Sequence, residues 1–133
     1  MNGETVIVDS SAVVAIYKGE PDSVHLAERI VSYKRKIMST TTWFEAAMVC
    51  ERVSRGGETD FAQIIGDFGI ELAPFTSEQA VLAFAAFKRF GKGRGDPAVL
   101  NFGDCFAYAL AKETAAPLLF KGNDFSRTDI AAA

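Results

Sequence analysis

The chain has 133 residues, of which 49% are hydrophobic and 23% are charged, and its formal net charge at pH 7 is −3. This length and composition predict a single globular domain over residues 1–133. The small negative charge argues against a surface that binds polyanions everywhere, although it permits a local basic patch. No apolar run approaches the roughly 20 residues that span a bilayer, and no basic segment precedes the first apolar run. We therefore expect a cytoplasmic protein with no membrane contact.

The cysteine and histidine content narrows the possible chemistry. Cys50 and Cys105 fall inside predicted helices, which indicates free, buried thiols of a reducing compartment rather than a disulfide. The only histidine, His25, lies in the middle of a predicted helix. A Ser-His-Asp or Cys-His catalytic centre is therefore not expected.

Short apolar runs alternate with helical patterns along the whole chain. The β-branched run at residues 5–8 ends at Asp9, which is typical of a buried parallel strand. This alternation predicts an α/β fold, a three-layer α/β/α domain with a mostly parallel central sheet of four to five strands. The last few alanines are expected to be disordered. Further strands are predicted at 37–39, 70–74, 117–120 and, as a short edge, 126–130, and helices at 12–18, 23–33, 40–53, 59–68, 76–90 and from about 104.

Four carboxylates follow strands or lie at predicted helix starts. Asp9 ends the first strand, Glu45 is placed in the first turn of the helix after the second, and Asp104 opens a nearly apolar helix. Asp124 follows the strand predicted at 117–120. In a parallel sheet these places share one edge, where ligands bind, so the four side chains are predicted to converge.

Clustered carboxylates repel one another unless they are protonated or bind a metal. A set of oxygen ligands without histidine or cysteine suits Mg²⁺, for which Mn²⁺ can substitute, better than zinc. Such ions often act on phosphate esters. The pattern therefore predicts a metal-dependent site for phosphodiester chemistry.

Each candidate residue also has a purely structural interpretation. Asp9 and Asp104 could cap the helices that follow them, and Glu45 has the capping-box spacing from Thr42. Asp124 could be an ordinary turn residue. Ser11 could reach a metal-bound water or could cap a helix.

A basic cluster lies just upstream of Asp104. It is either a solvated segment or a patch that grips RNA phosphates beside the acids, with Lys92 and Arg94 as the main candidates. The basic residues of this cluster are Lys88, Arg89, Lys92 and Arg94.

The aromatic side chains are predicted to belong to the core rather than to stack on bases. They are Trp43, Phe44, Phe84, Phe87, Phe102, Phe106 and Phe120.

With these residues in view, the sequence resembles a PIN-domain ribonuclease of the VapC toxin type. The similarity covers essentially the whole chain and is carried by four segments. They are VIVDSSA at residues 6–12, TWFE at 42–45, LNFGDCFAYA at 100–109 and LFKGNDF at 119–125.

The resemblance implies a PIN-like fold in which Asp9, Glu45, Asp104 and Asp124 form the acidic quartet, accompanied by the Ser11 hydroxyl. It also implies Mg²⁺-dependent cleavage of RNA, with tRNA among the possible substrates. The toxin would pair with a small VapB-type antitoxin that occupies the cleft, and it would form a homodimer. The apolar residues Ile64, Ile65 and Phe68 offer one candidate dimer face.

Three alternatives stay open at this point. A haloacid-dehalogenase-like phosphatase also has an acid after its first strand, but its second Asp would be needed where Ser11 stands. A PIN-like module could bind RNA or protein without cutting, although it would not need all four acids. A metal-dependent nuclease that acts on DNA is the third alternative.

Overall fold

The computed structural model of the chain describes residues 4–91, 93 and 100–133. Strands and helices alternate through these residues much as predicted. Apolar runs form the strands, and amphipathic segments form the helices that cover them. The elements are β1 (Thr5–Val8), α1 (Ser10–Lys18), α2 (Ser23–Val31), β2 (Arg35–Ser39), α3 (Thr40–Val53), α4 (Gly57–Phe68), β3 (Ile70–Ala73), α5 (Ser77–Phe90), α6 (Phe102–Thr114) and β4 (Leu118–Leu119).

The strands form one parallel sheet in the order β3-β2-β1-β4. Thr5 pairs with Arg35, and Ile7 lies between Ile37 on one side and Leu118 on the other. Strand β1 is therefore central, and its carboxyl end opens at Asp9 between two neighbours. The prediction of a parallel α/β sheet is confirmed, with four strands in the part of the chain that the structure describes.

Both faces of the sheet are covered by helices. Val6 and Val8 pack into a cluster with residues of α1 to α4, whereas Ile7 points into a second cluster with α5 and α6. These three β1 side chains are fully buried, as expected for a strand between two helical layers. The three-layer prediction is confirmed, and α6 is buried along most of its length.

The C-terminal segment differs from the prediction. Residues 126–130 form turns rather than an edge strand. The final alanines, which were expected to be disordered, pair with β4 instead: the Leu118 amide donates to the Ala131 carbonyl, and the Ala133 amide donates to the Leu118 carbonyl, both at 2.9 Å. The reason is that β4 is an edge strand, whose outward backbone groups need partners.

Several predicted core aromatics lie at the surface. Phe44, Phe84, Phe87 and Phe102 are exposed, the last to 82%. Phe84, Phe87 and Phe102 border an apolar groove between α5 and α6. The prediction was wrong for these four because residue type alone does not say which helix face is outward.

The candidate dimer face on α4 is used in part by the fold of one chain. Ile65 is buried, and the half-buried Ile64 and Phe68 pack against the core cluster beside it. The dimer face stays a prediction.

Two expectations from composition are met in the described residues. Cys50 and Cys105 are free and buried. No helix in this part of the chain is long and apolar enough to cross a membrane.

Candidate active site

Asp9 lies at the carboxyl end of β1 and is 2% exposed. It is the N-cap of α1: its Oδ2 accepts hydrogen bonds from the Ser11 amide at 3.1 Å and the Ser11 hydroxyl at 2.6 Å. Its Oδ1 is buried and has no hydrogen-bond partner among the described residues. The capping interpretation is thus correct, but it accounts for only one of the two carboxylate oxygens.

Burial raises the pKa of Asp9 from 3.8 to about 6. The hydrogen bonds from Ser11 oppose this rise, and the negative charge of Glu45 adds to it. The electrostatic influence of Glu45 shows that α3 brings a second acid into the surroundings of β1.

Ser11 joins two segments of the site. Its hydroxyl donates to Asp9 and accepts a hydrogen bond of 2.9 Å from the Lys121 amide, which follows β4. The Lys121 ammonium in turn contacts Glu20 and Asp22 on the turn between α1 and α2. Ser11 therefore fixes the chain that leads to Asp124 against the Asp9 carboxylate.

Asp104 occupies the first turn of α6 and is 8% exposed. It forms a capping box with Asn101: its Oδ2 accepts the Asn101 amide at 3.0 Å, and the Asn101 Oδ1 accepts the Asp104 amide at 2.9 Å. The capping function predicted for Asp104 is real, and Asn101 is the partner that sequence reasoning missed. The Asn-x-x-Asp spacing before an apolar helix was the available signal.

Burial also raises the pKa of Asp104, to about 8. The Asn101 amide opposes the rise, whereas a hydrogen bond with the Asp124 carboxyl and the charges of Asp9 and Asp124 reinforce it. Asp104 therefore interacts electrostatically with both Asp9 and Asp124.

The predicted start of α3 at residue 40 is confirmed, and from this start Glu45 lies one turn further into the helix than was predicted for it. The N-cap is Ser39 rather than Thr42, and α3 has no acid in its first turn. The capping box with Thr42 is therefore wrong, and Glu45 lies in the second turn. Its carboxylate packs against Gly103 in the first turn of α6. Its Oε1 is buried without a hydrogen-bond partner in the described part of the chain.

Asp124 lies in the turn after β4 and is half-buried. The turn is anchored on one side by the Lys121 amide on Ser11 and on the other by Phe125, which is 2% exposed. Gly122 between them has a φ of +98°, a conformation that favours glycine. The turn interpretation is correct, and from this turn Asp124 contributes to the raised pKa of Asp104.

The predicted acids lie at one edge of the sheet, and three pairs of them interact electrostatically: Asp9 with Glu45, Asp9 with Asp104, and Asp104 with Asp124. No three Asp, Glu, His or Cys side chains among residues 4–91, 93 and 100–133 are grouped closely enough to hold a metal ion as they stand. The chemistry of the donor set still fits a hard divalent cation, because it consists of carboxylate oxygens, and the buried Asp9 Oδ1 and Glu45 Oε1 have no hydrogen-bond partner among the described residues.

Cys105 follows Asp104 in the chain, and its thiol is not suited to nucleophilic catalysis. Burial and the neighbouring Asp104 raise the pKa of its thiol to about 11. The thiol donates to the Asn101 carbonyl at 3.4 Å. A protonated, buried thiol is not a nucleophile at neutral pH.

The predicted phosphate-binding residues Lys92 and Arg94 lie outside the described residues. Their neighbours Lys88 and Arg89 are exposed in the last turn of α5. The Lys88 ammonium lies 5.9 Å from the centre of the Phe84 ring, and the Arg89 guanidinium lies 4.6 Å from that of Phe90. The basic patch stays a prediction.

Comparison with known proteins places this geometry in context. The PIN domain family matches residues 6–131. A ribonuclease VapC of Mycolicibacterium smegmatis is 42% identical over 130 residues, which cover 96% of this chain and 98% of that protein. Ribonuclease VapC30 of Mycobacterium tuberculosis is 39% identical over 127 residues, which cover 95% and 96%.

Solved structures agree on the fold. The structure of Mycobacterium tuberculosis VapC20, described as a sarcin-ricin loop cleaving toxin, has a TM-score of 0.77 at 15% identity and covers 96% of this chain and 98% of its own. A toxin–antitoxin complex from Klebsiella pneumoniae has a TM-score of 0.74 at 13% identity, with 96% of both chains covered. At these sequence identities the similarity supports the fold alone.

Proposed function

Since this chain belongs to the VapC ribonucleases of the PIN-domain family, we propose that it is an Mg²⁺-dependent endoribonuclease and the toxin of a VapBC-type toxin–antitoxin pair. The observation that supports the catalytic part is the electrostatic interaction that links Asp9, Glu45, Asp104 and Asp124 at the carboxyl edge of the sheet. Buried carboxylate oxygens without hydrogen-bond partners lower the stability of the folded protein, and a bound cation would offset this loss.

The proposal assigns separate roles to the acids. Asp9 and Asp104 are the main direct ligands, because they are the most buried of the four. Glu45 and Asp124 would hold metal-bound waters or a second ion. When bound, Mg²⁺ would acidify a water and offset charge on the scissile phosphate.

Ser11 has a positioning role in this scheme. Its hydroxyl proton is directed to Asp9 Oδ2, and its oxygen accepts the Lys121 amide, so it keeps Asp9 and the Asp124 turn in fixed relation. The predicted contact of Ser11 with a metal-bound water is compatible with this, although its single proton is already donated to Asp9.

Family membership supports the partners of the proposal. We propose that a VapB-type antitoxin covers the acidic cleft and that the active assembly is a homodimer. The proposed substrate class is single-stranded or looped RNA, which includes tRNA. Lys92 and Arg94 would contact phosphates that flank the cut. Size-exclusion chromatography with light scattering tests the dimer, and co-purification with the antitoxin tests the pair.

The decisive test of function is cleavage by the purified, antitoxin-free chain. RNA and DNA of one sequence are incubated with Mg²⁺ or with EDTA, beside the Asp104→Asn variant. We expect RNA to be cut only with the metal and only by the wild type. Cleavage of DNA in preference to RNA would support the deoxyribonuclease alternative. Mg²⁺ binding without cleavage of any RNA in a broad panel would support a binding module.

A further inference from the structure

We propose that Gly103 is a positioning residue of the acidic site, because its lack of a side chain creates the space in which the Glu45 carboxylate lies. This inference rests on the proposed function, in which Glu45 contributes to metal binding. It concerns a residue that holds no metal and touches no substrate, and that acts only through its neighbour.

The steric evidence is direct. A Cβ atom placed on Gly103 would overlap Glu45 Oε2 and would lie 2.6 Å from Glu45 Cδ and 2.7 Å from Oε1. Carbon and oxygen atoms do not approach so closely without a bond, so an alanine at 103 and the present position of the Glu45 carboxylate are incompatible. The backbone of Gly103 does not have a positive φ, so the need for glycine here is one of space and not of conformation.

An added Cβ would meet a movable side chain at Gly103, but it would meet fixed backbone at Gly57, the glycine at the start of α4. A Cβ on Gly57 would overlap the Cys50 carbonyl and lie 2.6 Å from Tyr17 Oη. A carbonyl inside a helix cannot move aside, whereas a glutamate side chain can rotate. Alanine at 103 should therefore displace the Glu45 carboxylate and leave the fold intact.

Among the residues that the structure describes, no hydrogen bond holds the Glu45 carboxylate in place. Its Oε1 is buried without a hydrogen-bond partner among the described residues. The surface of α6 at Gly103 is thus the wall against which the carboxylate rests beside Asp9 and Asp104.

A double-mutant cycle tests the proposal. Wild type, Gly103→Ala, Glu45→Ala and the double variant are compared for Mn²⁺ affinity by isothermal titration calorimetry and for melting temperature in EDTA. Gly66→Ala is the matched control, because it is a glycine in helix α4 with nothing within 4 Å of the added Cβ. Circular dichroism confirms that each variant folds.

We expect Gly103→Ala to weaken Mn²⁺ binding by about 10-fold or more, the size typical of losing the support of a metal ligand. Glu45→Ala should weaken it to the same extent, and the double variant no further. In EDTA, the change in melting temperature caused by Gly103→Ala should be several degrees less favourable when Glu45 is present than when residue 45 is alanine. Gly66→Ala should bind Mn²⁺ as the wild type does.

Three results would overturn the positioning role. Losses in Mn²⁺ affinity that add in the double variant would show that Gly103 acts through something other than Glu45. Equal effects of Gly103→Ala on melting temperature in both backgrounds would refute the steric argument. Unchanged Mn²⁺ affinity in Glu45→Ala would remove the role of Glu45, while the separate Asp104→Asn assay would still decide the ribonuclease proposal.

Discussion

Replacing Asp9 by Asn should make the metal-free protein more stable. The amide keeps one oxygen that can accept the Ser11 amide and hydroxyl, which Asp9 Oδ2 accepts at 3.1 and 2.6 Å. Asn is as good an N-cap as Asp. The variant therefore loses the buried negative charge and retains the local structure at the start of α1.

The magnitude follows from the raised pKa of Asp9. The native state binds this proton more tightly than the unfolded chain does, so stability falls as the pH rises from about 4 to about 6 and stays lower above that range. At roughly 1.4 kcal/mol for each pKa unit, the cost at neutral pH reaches about 3 kcal/mol. Coupling to Glu45 shares part of this cost, so we expect Asp9→Asn to gain about 1–3 kcal/mol.

Urea unfolding in EDTA at pH 7.5 and at pH 4 measures this effect. The gain should be present at pH 7.5 and should nearly disappear at pH 4, where the native carboxyl is protonated in the wild type. Asp67→Asn on α4 is the control, because this acid is exposed and its change should stay within about 0.5 kcal/mol. Added Mg²⁺ should stabilise the wild type more than Asp9→Asn.

Two outcomes would refute this reasoning. A loss of stability in Asp9→Asn at pH 7.5 in EDTA would mean that the charge is compensated in the folded protein. An equal gain at both pH values would mean that the effect arises from packing rather than from ionisation.

Two further predictions concern neighbours of the site. Gly57→Ala should destabilise the protein by about 1–3 kcal/mol in urea unfolding, because the added Cβ meets the Cys50 carbonyl, and the Mn²⁺ affinity of the folded protein should not change; a stable variant would contradict the rigidity assumed here. Ser11→Ala should cost about 1–2 kcal/mol and reduce RNA cleavage, because it removes the link between Asp9 and the Lys121 amide, whereas Ser11→Thr should restore both; equal losses in the two variants would exclude the hydroxyl as the cause.

Much of the site could be predicted because local sequence determines it. The β-branched run before Asp9 forms a buried central strand, so its carboxyl end had to lie at the sheet edge. The apolar sequence after Asp104 forms a helix buried on most sides, which places that acid at a buried helix start. Both acids also cap their helices, so the structural and functional interpretations were compatible rather than competing.

What could not be predicted depends on tertiary contacts. The start of α3 at residue 40 was predicted, but the alternative capping box of Thr42 with Glu45 could not be excluded, because Ser39 to Thr42 offer four possible N-caps and the pairing of β2 with β3 up to Ser39 and Ala73 favours the first of them. The position of Glu45 in the second turn follows from that choice. Similarly, the space at Gly103 depends on how α3 and α6 meet, a relation that no local pattern in either segment reveals.

The central claim, that the acids at the sheet edge form a metal site, is tested most directly by Mn²⁺ titration of wild type and Asp104→Asn. Asparagine at 104 can still accept the Asn101 amide, so α6 should keep its cap. We expect the wild type to bind Mn²⁺ and the variant to bind at least about 10-fold more weakly, with RNA cleavage lost in parallel. Equal Mn²⁺ binding by both proteins, or no binding by the wild type, would contradict the account.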